Sequence, residues 1–527
     1  MLVKKKEKEG DATPKETYEG ATVLEPECDI YMDHPVSVLD YASLYPSSMI
    51  SENLSHDSIV IDEAYANLPG VKYRDIEYDV VDSNRKKTYK ETCRFVDRSS
   101  YQGLLPRTLQ QLLTARKTTR NRMKDVKVYF EDGESEIVSQ SAAKESIMNG
   151  KKVVKREDAY NDFQKAVLDG LQNAYKVTAN SLYGQMGSSN GQLYLKHIAA
   201  CTTATGRKMI YKAKDFLEKE YNARVVYGDT DSIFCIFPSK DKGHAAIKQS
   251  IALAHSASKE FTKHIDRPHD LEYDKTFWPF ILLSKKRYVG NLYEDSDESS
   301  VQKSMGIVLK RRDNAPIVKQ VYGGIIDIIL NQNDIHGSVD FLKRELQKLV
   351  EGDCTLDQLI VSKTLKAKYE SPMHIAHKVL ADRMTERDPG TRPQVGDRIP
   401  YVYVVVKDSK KKMLQGNRIE HPDYIRANSL VPDYHFYITN QIMKPVLQIY
   451  GLVVERLHGY RRPPGHFELM AAKLSEKEVD PQKVADKVMA LRETCAGEIL
   501  FDSTLGVLEC KNSGNKDICS FFSRIEF

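Results

Sequence analysis

Paired cysteines are missing from this chain of 527 residues. Its eight cysteines, at positions 28, 93, 201, 235, 354, 495, 510 and 519, are scattered, and none stands in a Cys-x-x-Cys pair. That scatter argues against a zinc ribbon or a disulfide framework and fits a reducing compartment. No apolar run is long enough to span a bilayer, none reads as a signal peptide, and no membrane partner is expected. Internal repeats are absent. An excess of one charge is nearly absent too: 78 Lys and Arg stand against 74 Asp and Glu, for a net charge of +4. A balance that weak does not by itself imply nucleic acid, so local patches must carry any such reading. What is present is ordinary for a globular protein, with 41% hydrophobic residues. The length is too great for one core, so several subdomains are expected.

The chain is organised around Tyr227-Gly228-Asp229-Thr230-Asp231-Ser232. Ala223-Arg-Val-Val226 before it and Ile233-Phe-Cys-Ile-Phe237 after it are rich in β-branched and aromatic residues and read as strands. Gly-Asp-Thr-Asp between them reads as a tight hairpin tip. An isolated Asp-x-Asp in a loop is most simply a solvated turn. Here it interrupts two apolar strands, where a pair of carboxylates is costly to desolvate unless a cation neutralises it. A third carboxylate is available. Val36-Ser-Val-Leu39 reads as a short strand ending at Asp40, and Pro46 with its following serines marks a helix start. Two Mg²⁺ ions held by oxygen ligands need carboxylates converging from separate strands.

Asp40-Tyr-Ala-Ser-Leu-Tyr-Pro-Ser47 and Tyr227-Gly-Asp-Thr-Asp-Ser232 resemble motifs A and C of the family B DNA polymerases, closest to the eukaryotic delta type and its large-DNA-virus relatives. Lys176-Val-Thr-Ala-Asn180-Ser-Leu-Tyr-Gly184 resembles motif B, Ala115-Arg116-Lys117 resembles the arginine on its companion helix, and Lys285-Lys286-Arg287-Tyr288 resembles the family's primer-contacting motif. The resemblance runs from about Asp40 to Tyr450, leaving out the first few dozen residues and much of the last seventy. The missing cysteine pairs depart from the delta pattern. The resemblance implies an α+β fold shaped as a right hand, with an antiparallel-sheet palm, helical fingers and a helical thumb. The expected layout is a disordered leader over 1–25, palm over 26–102, fingers over 103–186, palm again over 187–314, thumb over 315–450, and an extension of unclear role over 451–527.

Along the chain, Gly103-Leu-Leu-Pro106 opens a helical pattern to about Lys124, with Leu109, Leu112 and Leu113 on one face and Arg116 and Arg120 on another. Residues 125–157 read as an exposed, charged insertion. A second helix is expected from about Asp162 to Leu182, with Phe163, Val167, Leu171 and Ala174 as its buried stripe. His244 and His255 lie on helical ground with no partner spacing that supports a metal. Asp75-Ile76-Glu77 matches the Asp-x-Glu of a proofreading nuclease only by coincidence, since in the family that motif lies far upstream of motif A. In the expected thumb, Arg383, Arg387, Arg392 and Arg398 can reach duplex phosphates.

By the resemblance, Asp40 and Asp231 with the Tyr41 carbonyl hold two Mg²⁺ ions, with Asp229 beside them. Arg116, Lys176 and Asn180 grip the incoming deoxynucleoside triphosphate, Lys176 also being placed to protonate the leaving pyrophosphate. The backbone at Ser43 and Leu44 meets the phosphates, and the Tyr45 ring lies under the sugar as a gate against a 2′-hydroxyl. Tyr183, Gly184, Lys285, Lys286, Arg287 and Tyr288 contact primer-template DNA. The implied activity is template-directed DNA synthesis by nucleotidyl transfer to a primer 3′-hydroxyl. A reverse transcriptase carries adjacent aspartates at its tip, whereas Thr230 separates them here. A non-catalytic scaffold relative would have lost some of Asp40, Asp231, Lys176 or Asn180, and a single-strand-binding module would lack converging carboxylates. Only 39 residues precede Asp40, and they hold no nuclease carboxylate set. The expectation is therefore no proofreading in this chain and a separate polypeptide bearing the amino-terminal and exonuclease domains. A sliding clamp is a further expected partner, in the nucleus or a viral replication compartment.

Overall fold

The computed structural model describes residues 16–82, 87–148, 150–406, 413–478 and 480–500. They divide into two compact units. The first runs up to Leu24 and takes in Ser37–Pro238 and Ile251–Asp274; the second takes in Glu25–Val36, Ser239–Ser250 and the chain from Lys275 onward. Helices and antiparallel sheets are mixed throughout, which is an α+β architecture.

In chain order the elements begin with β1 (Glu16–Tyr18), β2 (Val23–Leu24), β3 (Asp29–Tyr31, in the second unit) and β4 (Val36–Tyr41). Then come α1 (Leu44–Ser51), β5 (Tyr73–Asp82), β6 (Lys87–Val96) and α2 (Leu104–Arg122). A small sheet follows, β7 (Val126–Phe130), β8 (Ser135–Val138), β9 (Ile147–Met148) and β10 (Lys151–Asp158). The first unit closes with α3 (Asp162–Gly187), α4 (Lys196–Glu220), β11 (Arg224–Asp229), β12 (Ser232–Ile236) and the body of α5 (Ile247–Phe261). Residues 1–15 of the expected disordered leader lie outside the described residues. From Glu16 the leader reading fails, because β1 pairs with β5 and β2 pairs with β11. Strands of two or three residues take their order from the sheets they extend rather than from their own composition.

β4 is buried along almost its whole length, as a Val-Ser-Val-Leu run requires when it is covered on both faces. It pairs antiparallel with β12, which pairs with β11. Beneath these strands, Leu39, Tyr41, Leu44, Ile210, Ala213, Leu217 and Phe261 form one core. A second core joins Met49 and Ile50 of α1, Val80, Phe95, Ala179, Met186 and Cys201, under the β1-β5-β6 sheet.

The 125–157 insertion, exposed over most of its described residues, is a four-stranded antiparallel sheet in the order β8-β7-β10-β9, with Val128, Phe130 and Ala143 at its centre. One expectation for the helical hairpin is corrected: α3 does not bury the stripe read from its sequence. Phe163, Val167 and Leu171 are 77%, 54% and 41% exposed. The buried positions are Gln172, Ala179 and Met186. Small and polar residues let α2 and α4 approach α3 closely, and the apolar stripe faces outward.

The second unit contains β13 (Leu271–Ser284, from Lys275 on), β14 (Arg287–Tyr293) and β15 (Val301–Met305), paired in that order, with β3 on β13. Its helices include α6 (Pro316–Gln332), α7 (Ile335–Glu351) and α8 (Ala376–Arg387). A small sheet joins β16 (Val361–Thr364), β17 (Arg398–Tyr403) and β18 (Ile419–Glu420). After α9 (Pro422–Asn428), α10 (Tyr434–Phe436) runs into a π-helical stretch, Tyr437–Ile442, and then α11 (Met443–Leu452). α12 (His466–Ser475) and α13 (Pro481–Leu500) complete the unit, and Cys495, Ala496 and Leu500 of α13 join the same core as Ile325, Leu346 and Tyr450. The residues just after 450 are thus part of this core.

The π-helical register carries Tyr437 wholly into that core. Its hydroxyl donates to the Leu359 carbonyl at 2.6 Å and accepts from the Tyr403 amide at 3.2 Å. Tyr437→Phe should therefore destabilise the chain by about 1–3 kcal/mol, the cost of leaving buried polar partners unpaired. Urea unfolding of both forms is the measurement, and equal midpoints would show that neither bond matters.

Candidate active site

Two features of the sequence meet at one level of the first unit. Asp40 is the penultimate residue of β4 and pairs in register with Ser232, the first residue of β12. The Tyr41 amide donates to the Asp231 carbonyl at 2.9 Å. The ladder between these strands thus sets Asp40 and Asp231 side by side without any side-chain contact being needed. All three carboxylates, Asp40, Asp229 and Asp231, are half-buried.

The hairpin is as tight as its sequence suggests. Asp229 pairs with Ser232, leaving only Thr230 and Asp231 in the loop. Thr230 takes φ 62°, a left-handed conformation that a β-branched residue rarely adopts. The turn is pinned from several sides. The Asp231 amide donates to the Asp229 carbonyl at 2.7 Å, and the Thr230 amide to the Thr22 carbonyl at 3.0 Å. Thr230 Oγ1 donates to Asp229 Oδ1 at 3.1 Å. Thr22 belongs to the region expected to be disordered, yet it helps hold the acidic tip.

Ser43 also has a positive φ, 59°, and caps the start of α1. Its Oγ accepts a hydrogen bond from an Arg116 guanidinium nitrogen at 3.1 Å, and Arg116 Nε donates to Gln172 at 3.3 Å. α1, α2 and α3 are thereby tied at one point. Burial, then the nearby Arg120, lowers the Arg116 pKa. Gln172 was not visible as a site residue from sequence; its spacing of four before Lys176 was the available signal. Lys176 and Asn180 are exposed, four residues apart on one face of α3. Tyr183, seven residues beyond Lys176, lies against Tyr45 with ring centroids 4.5 Å apart. Lys176 therefore stands between the Arg116–Gln172 contact and the Tyr45–Tyr183 contact. Gly184 follows, exposed.

Tyr45 is held from behind by α4. A Cβ on Gly206 would come within 2.9 Å of the Tyr45 ring, so only glycine lets the helix approach this closely. Burial first, and then the Asp231 charge, push the Tyr45 hydroxyl up to about 12, so it stays protonated. Leu44 is buried beside it. An open cavity of about 570 Å³ borders Ser43 and Arg116 and is lined by further cations, Arg98, Lys117, Arg120 and Lys124.

In the second unit, Lys285-Lys286-Arg287-Tyr288 forms the tip of the β13–β14 hairpin, where Ser284 pairs with Arg287. Lys286 is exposed at φ 61°. A Cβ on Gly306 would stand 2.1 Å from the Lys286 carbonyl oxygen, which fixes glycine there. Lys285 pairs with Glu25 at 2.5 Å, Arg287 donates to Gln448 at 2.8 Å, and Tyr288 lies against Phe277 and Phe280. The arginines expected to reach phosphates are largely committed within the fold. Arg387 grips Glu420 with two bonds of 3.0 and 2.9 Å, Arg383 lies 3.4 Å from the same carboxylate, and Arg398 donates to the Ser362 carbonyl at 2.6 Å. His244 and His255 lie against aromatic rings, Trp278 and Tyr293 for the first and Tyr273 for the second.

Among the described residues, no three His, Cys, Asp or Glu side chains converge closely enough to hold a metal ion by themselves. A carboxylate near the end of β4 and another in the adjoining β11–β12 turn, with main-chain carbonyls alongside, are a fitting oxygen donor set for a hard divalent cation. No helix of the described residues is long and apolar enough to cross a membrane.

A sequence model of DNA polymerase family B matches residues 1–144 and 145–453, and the chain belongs to that family. The match begins at residue 1, so the likeness is not confined to Asp40 onward. The chain is similar to the DNA polymerase of Pyramimonas orientalis virus, 48% identical over 97% of this chain and 44% of that protein. It is 34% identical to the DNA polymerase delta catalytic subunit of Glycine max, over 84% of this chain and 37% of the relative. The delta catalytic subunit of Schizosaccharomyces pombe is 35% identical, over 82% and 36%. The viral alignment also takes in most of the last seventy residues. The chain spans less than half the length of these relatives. Family B DNA polymerases use divalent metal ions.

The strain at Thr230 gives a test of the tip. Thr230→Asn should raise stability by about 1 kcal/mol, because asparagine tolerates positive φ and a strained backbone residue costs of that order. Urea unfolding followed by circular dichroism measures it. A loss of stability would show that the Thr230–Asp229 hydrogen bond outweighs the strain.

Proposed function

We propose that this chain carries out template-directed DNA synthesis, joining deoxynucleoside triphosphates to a primer 3′-hydroxyl. The observation that carries this reading is the strand register that sets Asp40 beside Asp231, with Arg116 hooked onto Ser43 at the neighbouring helix start. In the right-hand arrangement of the family, the carboxylate strands are the palm, α2 and α3 the fingers, and the helices from α6 onward the thumb.

Asp40 and Asp231, with the Tyr41 carbonyl, would hold two Mg²⁺ ions, which when bound supply an activated 3′-hydroxyl and charge neutralisation on the phosphates. The remaining work falls to the chain's own groups. Arg116, Lys176 and Asn180 line one side of the triphosphate, with the Ser43 and Leu44 backbone on the other. Positive donors placed there stabilise the charge that grows on the transferring phosphoryl oxygens. Lys176, an exposed ammonium on that face, delivers a proton to the departing pyrophosphate. Tyr45, braced by Gly206 and Tyr183, closes the space under the sugar. Asp229 orients the turn through its bonds with Thr230 and Ser232. Lys285, Lys286, Arg287 and Tyr288 engage the primer duplex through phosphates and through base-edge acceptors shared by all pairs. A sliding clamp, in the nucleus or a viral replication compartment, completes the proposal.

Primer extension with Mg²⁺ tests the reading. Asp40→Ala and Asp231→Ala should each slow nucleotide addition by at least ~10²-fold, the scale of one lost transition-state electrostatic contact, while duplex binding persists. Near-normal extension by either variant would sink the two-metal assignment. Tyr45→Ala should raise ribonucleotide use relative to deoxyribonucleotide, and an unchanged ratio of the two kcat/KM values would refute the gate.

A further inference from the structure

In the second unit, the tip of the β13–β14 hairpin is tied to α11. Arg287 is half-buried, and its Nη2 donates to Gln448 Oε1 at 2.8 Å, a bond between residues 161 positions apart in the chain. Gln448 lies on α11, one turn after the exposed Lys444. It borders two cavities of this unit. One, of about 410 Å³, is also lined by Arg311, Lys363 and Lys444. The other, of about 740 Å³, is also lined by Lys285, Arg287 and Glu493. Gln448 therefore stands between a cationic groove and the hairpin tip.

The end of α11 is held in turn by α13. Arg492 Nε donates to the Gly451 carbonyl at 2.8 Å, and its Nη2 donates to the Leu452 carbonyl at 3.2 Å. Carbonyls in the last turn of a helix have no partner within it, and a cationic donor satisfies them well. The same guanidinium lies over the Phe467 ring of α12, 4.7 Å from its centroid. The two helices meet closely at Gly451, where a Cβ would stand 3.2 Å from Glu493 Cγ. Gln448 precedes the two gripped carbonyls by three and four residues, so α13 fixes the turn of α11 that carries it.

The type of acceptor matters. A neutral amide oxygen takes one of the five N–H donors of a guanidinium and orients the group without cancelling its charge. Glu493, on the border of the same cavity, is pushed up to about 7 by burial, with Arg287 opposing, so near neutral pH it offsets that charge only in part.

We propose that Gln448 is a positioning residue for the primer-contacting tip: it sets the Arg287 guanidinium so that its remaining donors meet the duplex, and α13 fixes Gln448 through Arg492. The role presupposes that the tip engages the primer duplex, as proposed above. It gives α13, in the extension beyond residue 450, a part in holding DNA as well as in packing.

The test is equilibrium binding of a fluorescent primer-template duplex to the whole chain, with urea unfolding of each variant alongside. Gln448→Met, similar in length but without the acceptor, should weaken duplex binding by about 10-fold, the scale of one hydrogen bond to a charged group. The nucleotide KM at saturating duplex should not move. Gln448→Asn, one methylene too short, should act in the same way. In an Arg287→Ala background neither change should weaken binding further, because the group they position is gone. Arg492→Met should likewise weaken duplex binding only while Arg287 is present. Full-strength duplex binding by both Gln448 variants, or equal losses with and without Arg287, would overturn the positioning role. A loss from Arg492→Met that persists without Arg287 would reduce α13 to packing and overturn its part. Normal duplex binding by Arg287→Ala alone would show that the tip does not engage DNA, and the reading beneath the proposal would fall with it.

Discussion

The arrangement depends on a main-chain constraint: the antiparallel ladder between β4 and β12 forces two carboxylates to the same height. The amide of Tyr41 and the carbonyl of Asp231 make that bond whatever the side chains prefer. The strands beneath them are largely buried. The hairpin tip is pinned by Thr22, Asp229 and Thr230 over the core under β4 and β12, and these contacts hold Thr230 in its strained left-handed conformation.

Around that pair, approach distances do the selecting. Gly206 lets α4 touch the Tyr45 ring, and Tyr45 in turn meets Tyr183. Arg116 reaches Ser43 while it also donates to Gln172 of α3. Each of these contacts joins segments far apart in the chain, so the geometry at the carboxylates is a property of the whole unit.

Much of this was legible in the sequence where local chemistry decides. The Gly-Asp-Thr-Asp turn, the strand ending at Asp40 and the helices carrying Arg116 and Lys176 all lie where turn residues and periodicity put them. Other features were hidden because local pattern does not name the partner. The stripe of Phe163, Val167 and Leu171 has helical spacing, yet α3 turns its small and polar side to α2 and α4. Arg387 and Arg398 read as phosphate-seeking cations, but Glu420 and the Ser362 carbonyl hold them. The early strands escaped notice because Glu16–Tyr18 and Val23–Leu24 are too short to signal themselves and take their order from β5 and β11.

The small sheet between α2 and α3 leaves and rejoins the helical hairpin at one place. Val126, the first residue of β7, pairs with Asp158, the last of β10, and the Ala159 amide donates to the Asp125 carbonyl at 3.1 Å. Its core of Val128, Phe130 and Ala143 is its own. A segment whose two ends meet costs the helices that carry it little more as it lengthens, about 0.6 kcal/mol of closure entropy for each doubling. In evolutionary terms it is a cassette: a lineage can lengthen, exchange or discard it while the helices on either side keep their grip on Arg116 and Lys176.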